Sequence, residues 1–381
     1  MNFRSYEIKD ICKIKSGKRL PKGTDFSEKP TKHKYIRARD IKNGKIDGSD
    51  LEYISEELYK KIARYIVNTN DIIITIAGTI GEVALVSKKF DGVNLTENAV
   101  RLTEFSKDVC PEFLAYILKS PERKEYMEQV AGGSAQPKLG IYKIEAIKVD
   151  LPDIQIQHKI ADILSAYDDL IENNEKQIKL LEEAAQRLYK EWFVDLRFPG
   201  YENTKIVDGV PEGWSRGLLK ELISVNYGKD HKKAPDDGNI PVYGSGGLMR
   251  KCNKSLFSGE AVLIPRKGSL NNIMYVDETF WTVDTMFYAT MKQPHTAVFV
   301  YFFVKAFDMY SMNIGAAVPS MTTKILDAMD VVIPDKETLE KFDKCAKTYF
   351  NKIKTLQGQN ERLKTARNLL LPKLMNGKVE V

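Results

Sequence analysis

In two long segments of the chain, mostly apolar residues recur at alternating intervals of four and three residues. The first stripe contains Ile160, Leu164, Tyr167, Ile171, Asn174, Ile178, Leu181, Ala185, Leu188 and Trp192, and the second contains Phe342, Ala346, Tyr349, Ile353, Leu356, Asn360, Leu363, Arg367, Leu370 and Leu374. Because this spacing extends over more than four heptads and the other positions are mostly polar, it predicts two long helices that pair in a coil. A helix that lies on the core of its own domain is the alternative interpretation of each stripe.

An antiparallel pairing brings large side chains of one stripe opposite small side chains of the other. In this register Ala185 faces Tyr349 and Leu188 faces Ala346. At the ends of the stripes Ile160 faces Leu374, and Trp192 faces Phe342. One polar layer fixes the register, and its residues are Asn174 and Asn360. A helix of about 36 residues is about 54 Å long, at about 1.5 Å per residue. We therefore expect the coil to hold its flanking domains at a fixed distance.

A strand that precedes each stripe occurs twice, at a spacing of 182 residues. The sequence IEAIKVDLPD spans 144–153 and LDAMDVVIPD spans 326–335, and both are typical of a strand ended by a proline turn. The front ends of the two halves also resemble each other in two places: 10–18 resembles 221–229, and 70–86 resembles 259–276. A period of this length indicates a duplicated domain and a pseudo-two-fold internal repeat.

The order of the patterns predicts an α+β fold. Short β-branched runs, separated by Gly, Asn, Asp and Pro, precede each long helix, and each half has one helical insert, at 111–130 and 296–311. We expect two similar mixed α/β globular domains, separated by two long antiparallel coiled-coil helices. The predicted boundaries are 1–153 for the first domain, 154–197 for the central helix, 198–335 for a linker and the second domain (which begins at about 211), and 336–381 for the C-terminal helix.

Composition and motifs exclude several classes of function. The chain has 43% hydrophobic and 29% charged residues, with no apolar run of membrane-spanning length and no signal peptide, so we expect a cytoplasmic protein without a membrane partner. Its four cysteines and four histidines are scattered, which predicts no metal site. No catalytic motif is present, and Asp168 and Asp169 are expected on a solvated helix face. An enzyme whose catalytic residues form no recognised motif remains an alternative.

The charge distribution points to nucleic acid. The net charge is +6, and residues 1–45 contain fourteen Lys and Arg against five Asp and Glu; a solvated basic face is the alternative interpretation. Lysine and arginine in loops neutralise phosphates, and arginine and asparagine read base edges. The candidate DNA-binding residues of the first half are Lys15, Lys18, Arg19, Tyr35, Arg37, Arg39, Lys42, Thr79, Gln136 and Lys138. Those of the second half are Lys229, His231, Lys232, Tyr243, Ser245, Arg266, Lys267, Asn271 and Asn272.

Several stretches together resemble the specificity (S) subunits of type I restriction–modification systems. They are LPD (151–153) running into IQIQHKIADILSAYDDLI (154–171), RLYKEWFVDLRFPG (187–200), PEGW (211–214), the loops GGSAQPKL and GAAVPSMT, and LLLPKLMNGKVEV (369–381). The resemblance covers essentially the whole chain, and the duplicated order of domain and helix is its specific feature. The second half departs from the first in one loop, since it has Val318 and Ser320 where the first half has Gln136 and Lys138.

This resemblance implies a function in DNA recognition. Each globular domain would be a target-recognition domain that reads one half of a bipartite double-stranded DNA site. The helices would set the gap between the halves and dock two modification (M) subunits, to which restriction (R) subunits attach. The chain would bind no cofactor and catalyse nothing itself, because S-adenosylmethionine, ATP and Mg belong to the partner subunits. Such a protein would be associated with the nucleoid of a bacterium or archaeon.

Two other interpretations remain. One is a non-catalytic coiled-coil scaffold protein with basic loops as solvated surface. The other is the specificity subunit of a restriction enzyme that is not of type I. Salt-dependent, sequence-specific DNA binding would distinguish the first of these from the type I interpretation, and neighbouring genes for M and R subunits would distinguish the second.

Overall fold

A computed structural model describes residues 3–132, 137–312, 320–375, 377 and 379. The chain divides into two units, one formed by residues 1–172 and 360–381 and the other by residues 173–359. Each unit therefore contains one globular domain and a part of each of the two long helices. No helix in the described ranges is long and apolar enough to cross a membrane.

The globular domain of the first unit consists of short strands and helices. Its strands are Arg4–Glu7, Lys13–Ser16, His33–Ile36, Ile41–Lys42, Lys45–Ile46, Glu52–Ile54, Ile72–Thr75, Val83–Leu85, Asn94–Leu95, Ala99–Thr103 and Lys148–Leu151. Its α-helices are Ile8–Ile11, Glu56–Ile62, Pro111–Leu118, Pro121–Val130 and Ile141–Glu145, and its 3₁₀ turns are Ala38–Asp40, Ala63–Tyr65 and Lys88–Phe90.

The globular domain of the second unit has longer strands and fewer helices. Its strands are Ile206–Val207, Val210–Pro211, Ser215–Leu218, Ile223–Tyr227, Ile240–Gly244, Gly247–Cys252, Phe257–Pro265, Met274–Thr282, Met286–Met291 and Asp330–Ile333. Its α-helices are Ala297–Lys305 and Thr323–Asp327, and its 3₁₀ turns are Tyr201–Asn203, Leu219–Glu221 and His231–Lys233. The two long helices are Ile154–Tyr189, which continues into a π-helical turn at Lys190–Val194, and Lys336–Met375.

The same four-stranded arrangement forms the central sheet of both domains. In the first domain the strand order is Lys13–Ser16, Ala99–Thr103, Ile72–Thr75, Val83–Leu85. In the second the order is Ile223–Tyr227, Met286–Met291, Phe257–Pro265, Met274–Thr282, and the hairpin Ile240–Gly244/Gly247–Cys252 extends the sheet to six strands. The predicted duplication is thus present in the topology as well as in the sequence.

Continuous apolar runs form these central strands because both faces of the sheet are covered. Ile72 and Ile74 belong to one buried cluster, while Ile73, which points to the opposite face, belongs to another. The second domain repeats this alternation, since Val262 packs in a different cluster from Leu263. A strand that is buried on both faces has no polar alternation.

The period of 182 residues also relates the elements that lead into the long helices. The short helices Ile141–Glu145 and Thr323–Asp327 are followed by the strands Lys148–Leu151 and Asp330–Ile333. Each of these strands pairs antiparallel with a strand near the start of its own domain, Arg4–Glu7 in the first and Ser215–Leu218 in the second. The first residues of IEAIKVDLPD are therefore helical and only its second part is a strand. The prediction of a strand in that segment was too long at its N-terminal end.

Two further sequence predictions were wrong in detail. The insert at 111–130 is two helices, because Ser120 caps the helix that begins at Pro121. The segment 194–214, interpreted as a linker without a period, contains a short hairpin that turns at Asp208 and Gly209, both with positive φ.

Within each unit, side chains that the predicted register places opposite each other belong to the same buried cluster. In the first unit Ile160 and Leu374 share a buried cluster. In the second unit the ring centroids of Trp192 and Phe342 are 5.8 Å apart, and Ala185 and Ala346 are fully buried in the cluster around them. The two register residues, Asn174 and Asn360, are both buried, and the pairing of their amides stays a prediction.

Ion pairs fasten each domain to its own helix segments. In the first unit the Asp168 carboxylate accepts hydrogen bonds from the hydroxyl of Tyr116, at 2.7 Å, and from the guanidinium of Arg367. The expectation that Asp168 is solvated was therefore wrong, and this ion pair gives Arg367, which the sequence places opposite Tyr167, a favourable partner.

The second unit has a different set of polar contacts between its domain and the helix Lys336–Met375. The Lys347 ammonium lies 3.0 Å from the Glu260 carboxylate and 2.9 Å from the Asp343 carboxylate. The Tyr275 hydroxyl also donates to Glu260, at 2.5 Å, and His295 Nδ1 lies 2.8 Å from Asp343. Charged groups thus link each domain to a long helix, through the helix Pro111–Leu118 in the first unit and through the sheet in the second.

Candidate nucleic-acid interface

A tight turn presents Lys18 at the end of the strand Lys13–Ser16. The amide of Gly17 donates to the carbonyl of Ala99 at 3.1 Å, and the amide of Lys18 donates to the carbonyl of Leu95 at 2.8 Å. A Cβ at Gly17 would lie 1.9 Å from the carbonyl oxygen of Thr96, so only glycine fits there. The Lys18 side chain is exposed, and its ammonium lies 5.9 Å from the centre of the Tyr65 ring.

The second domain has the same turn at Gly228 and Lys229. The amide of Gly228 donates to the carbonyl of Met286 at 3.0 Å, and that of Lys229 donates to the carbonyl of Thr282 at 2.9 Å. A Cβ at Gly228 would lie 2.0 Å from the carbonyl oxygen of Val283. Lys229 is exposed like Lys18.

A groove of about 550 Å³ lies beside this turn in the first domain. It is lined by Ser16, Gly17, Ile76, Glu97, Gly132, Lys138, Leu139, Gly140, Ile141, Tyr142 and Lys143. The segment around Lys138 is held in place by a hydrogen bond of 2.9 Å from the amide of Leu139 to the carbonyl of Ile76. Thr79 is exposed in the turn that follows Ile76, and Tyr142 is 69% exposed at the groove.

Different side chains occupy the corresponding place in the second domain. The amide of Met321 donates to the carbonyl of Arg266 at 2.9 Å, as Leu139 does to Ile76, so Arg266 corresponds to Ile76. The guanidinium of Arg266 lies 5.5 Å from the centre of the ring of Tyr227, which corresponds to Ser16. This cation–π pair keeps a planar cation at the surface next to the Lys229 turn.

Each basic residue within 37–42 has a carboxylate partner, but the residues differ in exposure. Arg37 is only 13% exposed, because its guanidinium binds the carboxylates of Asp40 and Glu52. Arg39 is exposed and lies 3.4 Å from Glu52, and the Lys42 ammonium lies 2.8 Å from Asp47. The pKa of the Asp47 carboxyl is held well below its usual range, chiefly by the hydrogen bond from Lys42.

Tyr35 is a buried residue with a structural contact. It is 2% exposed, and its hydroxyl donates to the carbonyl of Lys18 at 2.6 Å. Burial raises the pKa of its phenol to about 12. Tyr35 therefore has no surface with which to touch a base or phosphate, and it instead supports the turn that presents Lys18.

Carboxylates also neutralise two of the other predicted cations of the first domain. Lys15 pairs with Glu104, and hydrogen bonds from Lys13 and Lys15 hold the pKa of that exposed carboxyl at about 2. Arg19 Nε lies 2.7 Å from Glu97. Gln136 lies outside the described residues.

The predicted residues of the second domain divide into exposed groups and groups that hold loops. Lys229, Lys232 and Lys267 are exposed, and His231 is half-buried. The side-chain amide of Asn272 donates to the carbonyl of Ser245 at 2.9 Å. Asn271 donates to Asp308 at 2.9 Å and accepts from the amide of Met309 at 2.8 Å, so its amide is used within the protein. The hydroxyl of Tyr243 donates to Glu278, and burial followed by this contact raises its pKa.

Sequence reasoning missed two residues of the first domain. The guanidinium of Arg64 lies 4.9 Å from the centre of the Tyr65 ring and donates to its hydroxyl at 2.7 Å, so the Tyr65 ring has two cations near it, Arg64 and Lys18. The available signal was an Arg-Tyr doublet shortly after the two lysines in the last turn of the helix Glu56–Ile62. No cluster of His, Cys, Asp or Glu in the described part of the chain could hold a metal ion.

Comparisons with known proteins agree with this arrangement. The chain matches the family described as type I restriction modification DNA specificity domain twice, over residues 2–183 and 211–365. It is 26% identical over 372 residues to the type I restriction enzyme MjaIX specificity subunit of Methanocaldococcus jannaschii, covering 86% of this chain and 82% of the relative. It is 22% identical over 476 residues to the HindI specificity subunit of Haemophilus influenzae, covering 99% and 100%.

A solved structure has the same fold. The S subunit of a type I restriction–modification system from M. genitalium superposes with a TM-score of 0.65 at 19% identity, covering 98% of this chain and 96% of that chain. The fold of two duplicated domains with long helices is therefore shared with that protein.

Proposed function

The chain belongs to the type I restriction modification DNA specificity family, and from this premise we propose that each of its globular domains reads one half of a bipartite double-stranded DNA site. The observation that carries the proposal is the duplicated Gly-Lys turn, which lies beside different side chains in the two domains. Ile76 and Lys138 flank it in the first domain, and Tyr227 and Arg266 flank it in the second. Two similar domains with different surfaces are suited to read two different half-sites.

The long helices supply the second part of the proposal. They set the number of base pairs between the half-sites and dock two modification subunits, through which restriction subunits join the complex. The chain itself contributes recognition only. S-adenosylmethionine, ATP and Mg act in the partner subunits, where adenine methylation, translocation and cleavage take place.

Methylome sequencing tests this function directly. Cells that express this chain with its modification subunits should contain one asymmetric motif, made of two defined half-sequences and a fixed gap, with methylated adenines. Replacement of residues 211–335 by the corresponding domain of a relative should change one half-sequence and leave the other unchanged. A single continuous motif, or a change in both halves, would contradict the proposal.

A further inference from the structure

We propose that Lys18 and Lys229 make the same sequence-independent contact, each with a backbone phosphate of one half-site. This inference rests on the proposed function, because it assigns a role within the interface that the function requires. It separates the residues that hold the DNA from those that read it.

The backbone around the two lysines is equivalent in detail. In each domain the glycine and the lysine donate to two carbonyls that lie four residues apart, Ala99 and Leu95 in one and Met286 and Thr282 in the other. A Cβ at Gly17 would collide with the carbonyl of Thr96, the residue after Leu95. A Cβ at Gly228 would likewise collide with the carbonyl of Val283, the residue after Thr282. The carbonyl of Thr96 also accepts a hydrogen bond from the amide of Ala99 at 3.2 Å, and the carbonyl of Val283 accepts one from the amide of Met286 at 3.0 Å. The two lysines are thus presented by one shared turn geometry.

Both turns are fixed by a buried aromatic donor, although the donors differ. The hydroxyl of Tyr35 donates to the carbonyl of Lys18 at 2.6 Å. Trp281, which is 6% exposed, donates from Nε1 to the carbonyl of Lys229 at 3.1 Å. Tyr35 lies in the strand His33–Ile36, which is outside the central sheet, whereas Trp281 lies in the central strand Met274–Thr282. The same backbone contact made by different residues indicates that the position of the lysine matters in both domains.

The charges of these two lysines are available to a ligand. In the described part of the chain neither ammonium lies within ion-pair distance of a carboxylate, whereas Lys15, Arg19 and Lys42 each have such a partner. The Lys18 ammonium lies 5.9 Å from the centre of the Tyr65 ring, and the side chain is exposed to solvent. A solvated ammonium on a fixed backbone can neutralise a phosphate without first breaking an ion pair.

The surroundings of the lysines decide between phosphate and base as the ligand. Half-sites of different sequence share the sugar-phosphate backbone but not their base edges. The equivalent lysines must therefore contact what the half-sites share. A base-reading role fits positions that differ between the domains, such as Ile76 and Arg266. Lysine also suits a phosphate because it acts as a point charge without the planar geometry of arginine.

Binding of the full chain to a fluorescein-labelled 40-base-pair duplex of mixed sequence, followed by anisotropy from 50 to 250 mM KCl, tests the proposed role. The slope of log affinity against log salt falls by about 0.9 for each phosphate that the protein no longer neutralises. Lys18→Ala and Lys229→Ala should each reduce the slope by about 0.9, and the double variant by about 1.8. Tyr35→Phe should reduce the slope by less than Lys18→Ala does, because the Lys18 charge remains and the turn loses only the hydrogen bond from the Tyr35 hydroxyl.

Lys9→Ala/Lys220→Ala is the matched control. These lysines are also exposed and equivalent in the two domains. They precede the N-terminal ends of the strands Lys13–Ser16 and Ile223–Tyr227, whereas Lys18 and Lys229 follow the C-terminal ends. The control should keep the wild-type slope, although its net charge equals that of the test variant. An unchanged slope in Lys18→Ala/Lys229→Ala, or an equal reduction in the control, would overturn the phosphate contact. Absence of salt-dependent binding by the wild-type chain would overturn both this contact and the proposed function.

Discussion

At the scale of single residues, the structure separates cations that stabilise the protein from cations that face solvent. Arg37 and Arg39 are two residues apart and were given the same role in DNA recognition from the sequence. Arg37 lies in a network with Asp40 and Glu52, while Arg39 is 67% exposed. The sequence shows charge, but only the fold shows which carboxylates come within reach of it.

Substitution of Arg37 should therefore destabilise the fold. Arg37→Ala leaves the buried carboxylate of Asp40 without its main partner, and we expect a loss of about 3 kcal/mol in the free energy of unfolding. Arg39→Ala should change it by less than about 1 kcal/mol, because exposed pairs contribute little. Urea denaturation of both variants measures the difference. Arg39→Ala should weaken recognition of the first half-site without loss of stability. Similar unfolding curves for the two variants would contradict the assignment of Arg37 as a stabilising residue.

Arg266 should contribute to the specificity of the second domain alone. Arg266→Ala should cost about 1–3 kcal/mol of binding to DNA with the correct second half-site, as expected for a base contact. Lys267→Ala should weaken recognition of the same half. Arg266→Lys should not restore the affinity, because lysine lacks the planar guanidinium that makes a bidentate contact. Competition between duplexes that carry changes in either half measures these effects, and an equal loss at both halves would argue against separate reading domains.

The half-buried side chain of Lys119 should give the first unit a pH-dependent stability. Burial lowers the pKa of Lys119 from 10.5 to about 8, although the carboxylate of Asp168 opposes this shift. Between pH 8 and 10.5 the unfolded chain holds a proton that the folded chain has lost, so the contribution of Lys119 to stability increases with pH across this window. Below pH 8 the contribution is constant, since both states are protonated.

Thermal denaturation of wild type and Lys119→Met from pH 6.5 to 10 tests this prediction. The melting temperature of wild type minus that of the variant should stay flat up to about pH 8 and then rise. The difference isolates Lys119 from other groups that titrate in this range. A difference that falls with pH would contradict the assigned direction.

At the scale of elements, regular periodicity was the most informative part of the sequence. The apolar residues spaced alternately four and three positions apart identified both long helices. Ile160 and Leu374, which the suggested register pairs, share one buried cluster, and the rings of Trp192 and Phe342 are in contact. The break at Ser120 and the hairpin at 206–211 were missed, because a capping serine or an Asp-Gly turn is a local signal without periodicity. The positions of Tyr35 and Asp168 also depend on contacts with residues distant in the sequence, which no local pattern contains.

One glycine interrupts the second long helix without a packing reason. Gly358 is exposed in the helix Lys336–Met375, and a Cβ there would meet no atom within 4 Å. Gly358→Ala should therefore stabilise the second unit by about 0.5–1 kcal/mol, since alanine loses less conformational entropy in a helix. Gly17→Ala is the opposite case, because its Cβ would collide with a carbonyl oxygen, and it should lower the melting temperature. Differential scanning calorimetry measures both, and destabilisation by Gly358→Ala would show that the glycine has a role in the helix.

At the scale of the whole molecule, duplication made the function accessible from the sequence. No single motif specifies DNA recognition in this chain, yet two copies of one domain, each continued by a long helix, limit the functions that the arrangement suits. The bases that are read depend on loops that the repeat does not preserve. The sequence therefore indicates the type of interaction, and the groove at Lys138 and the Arg266–Tyr227 pair indicate where the two specificities differ.

The length of the long helices should determine the gap in the DNA site. Seven residues inserted between Glu175 and Lys176, together with seven between Gly358 and Gln359, keep the predicted antiparallel register on both sides of the insertions. Each insertion adds about 10.5 Å of helix, at about 1.5 Å per residue, which corresponds to about 3 base pairs at about 3.4 Å each. Methylome sequencing of cells with the lengthened chain and its modification subunits should return the same two half-sequences with a gap about 3 base pairs longer. A single insertion in one helix is the control, because it disrupts the pairing and should abolish methylation. An unchanged gap in the double insertion would show that the helices do not set the spacing.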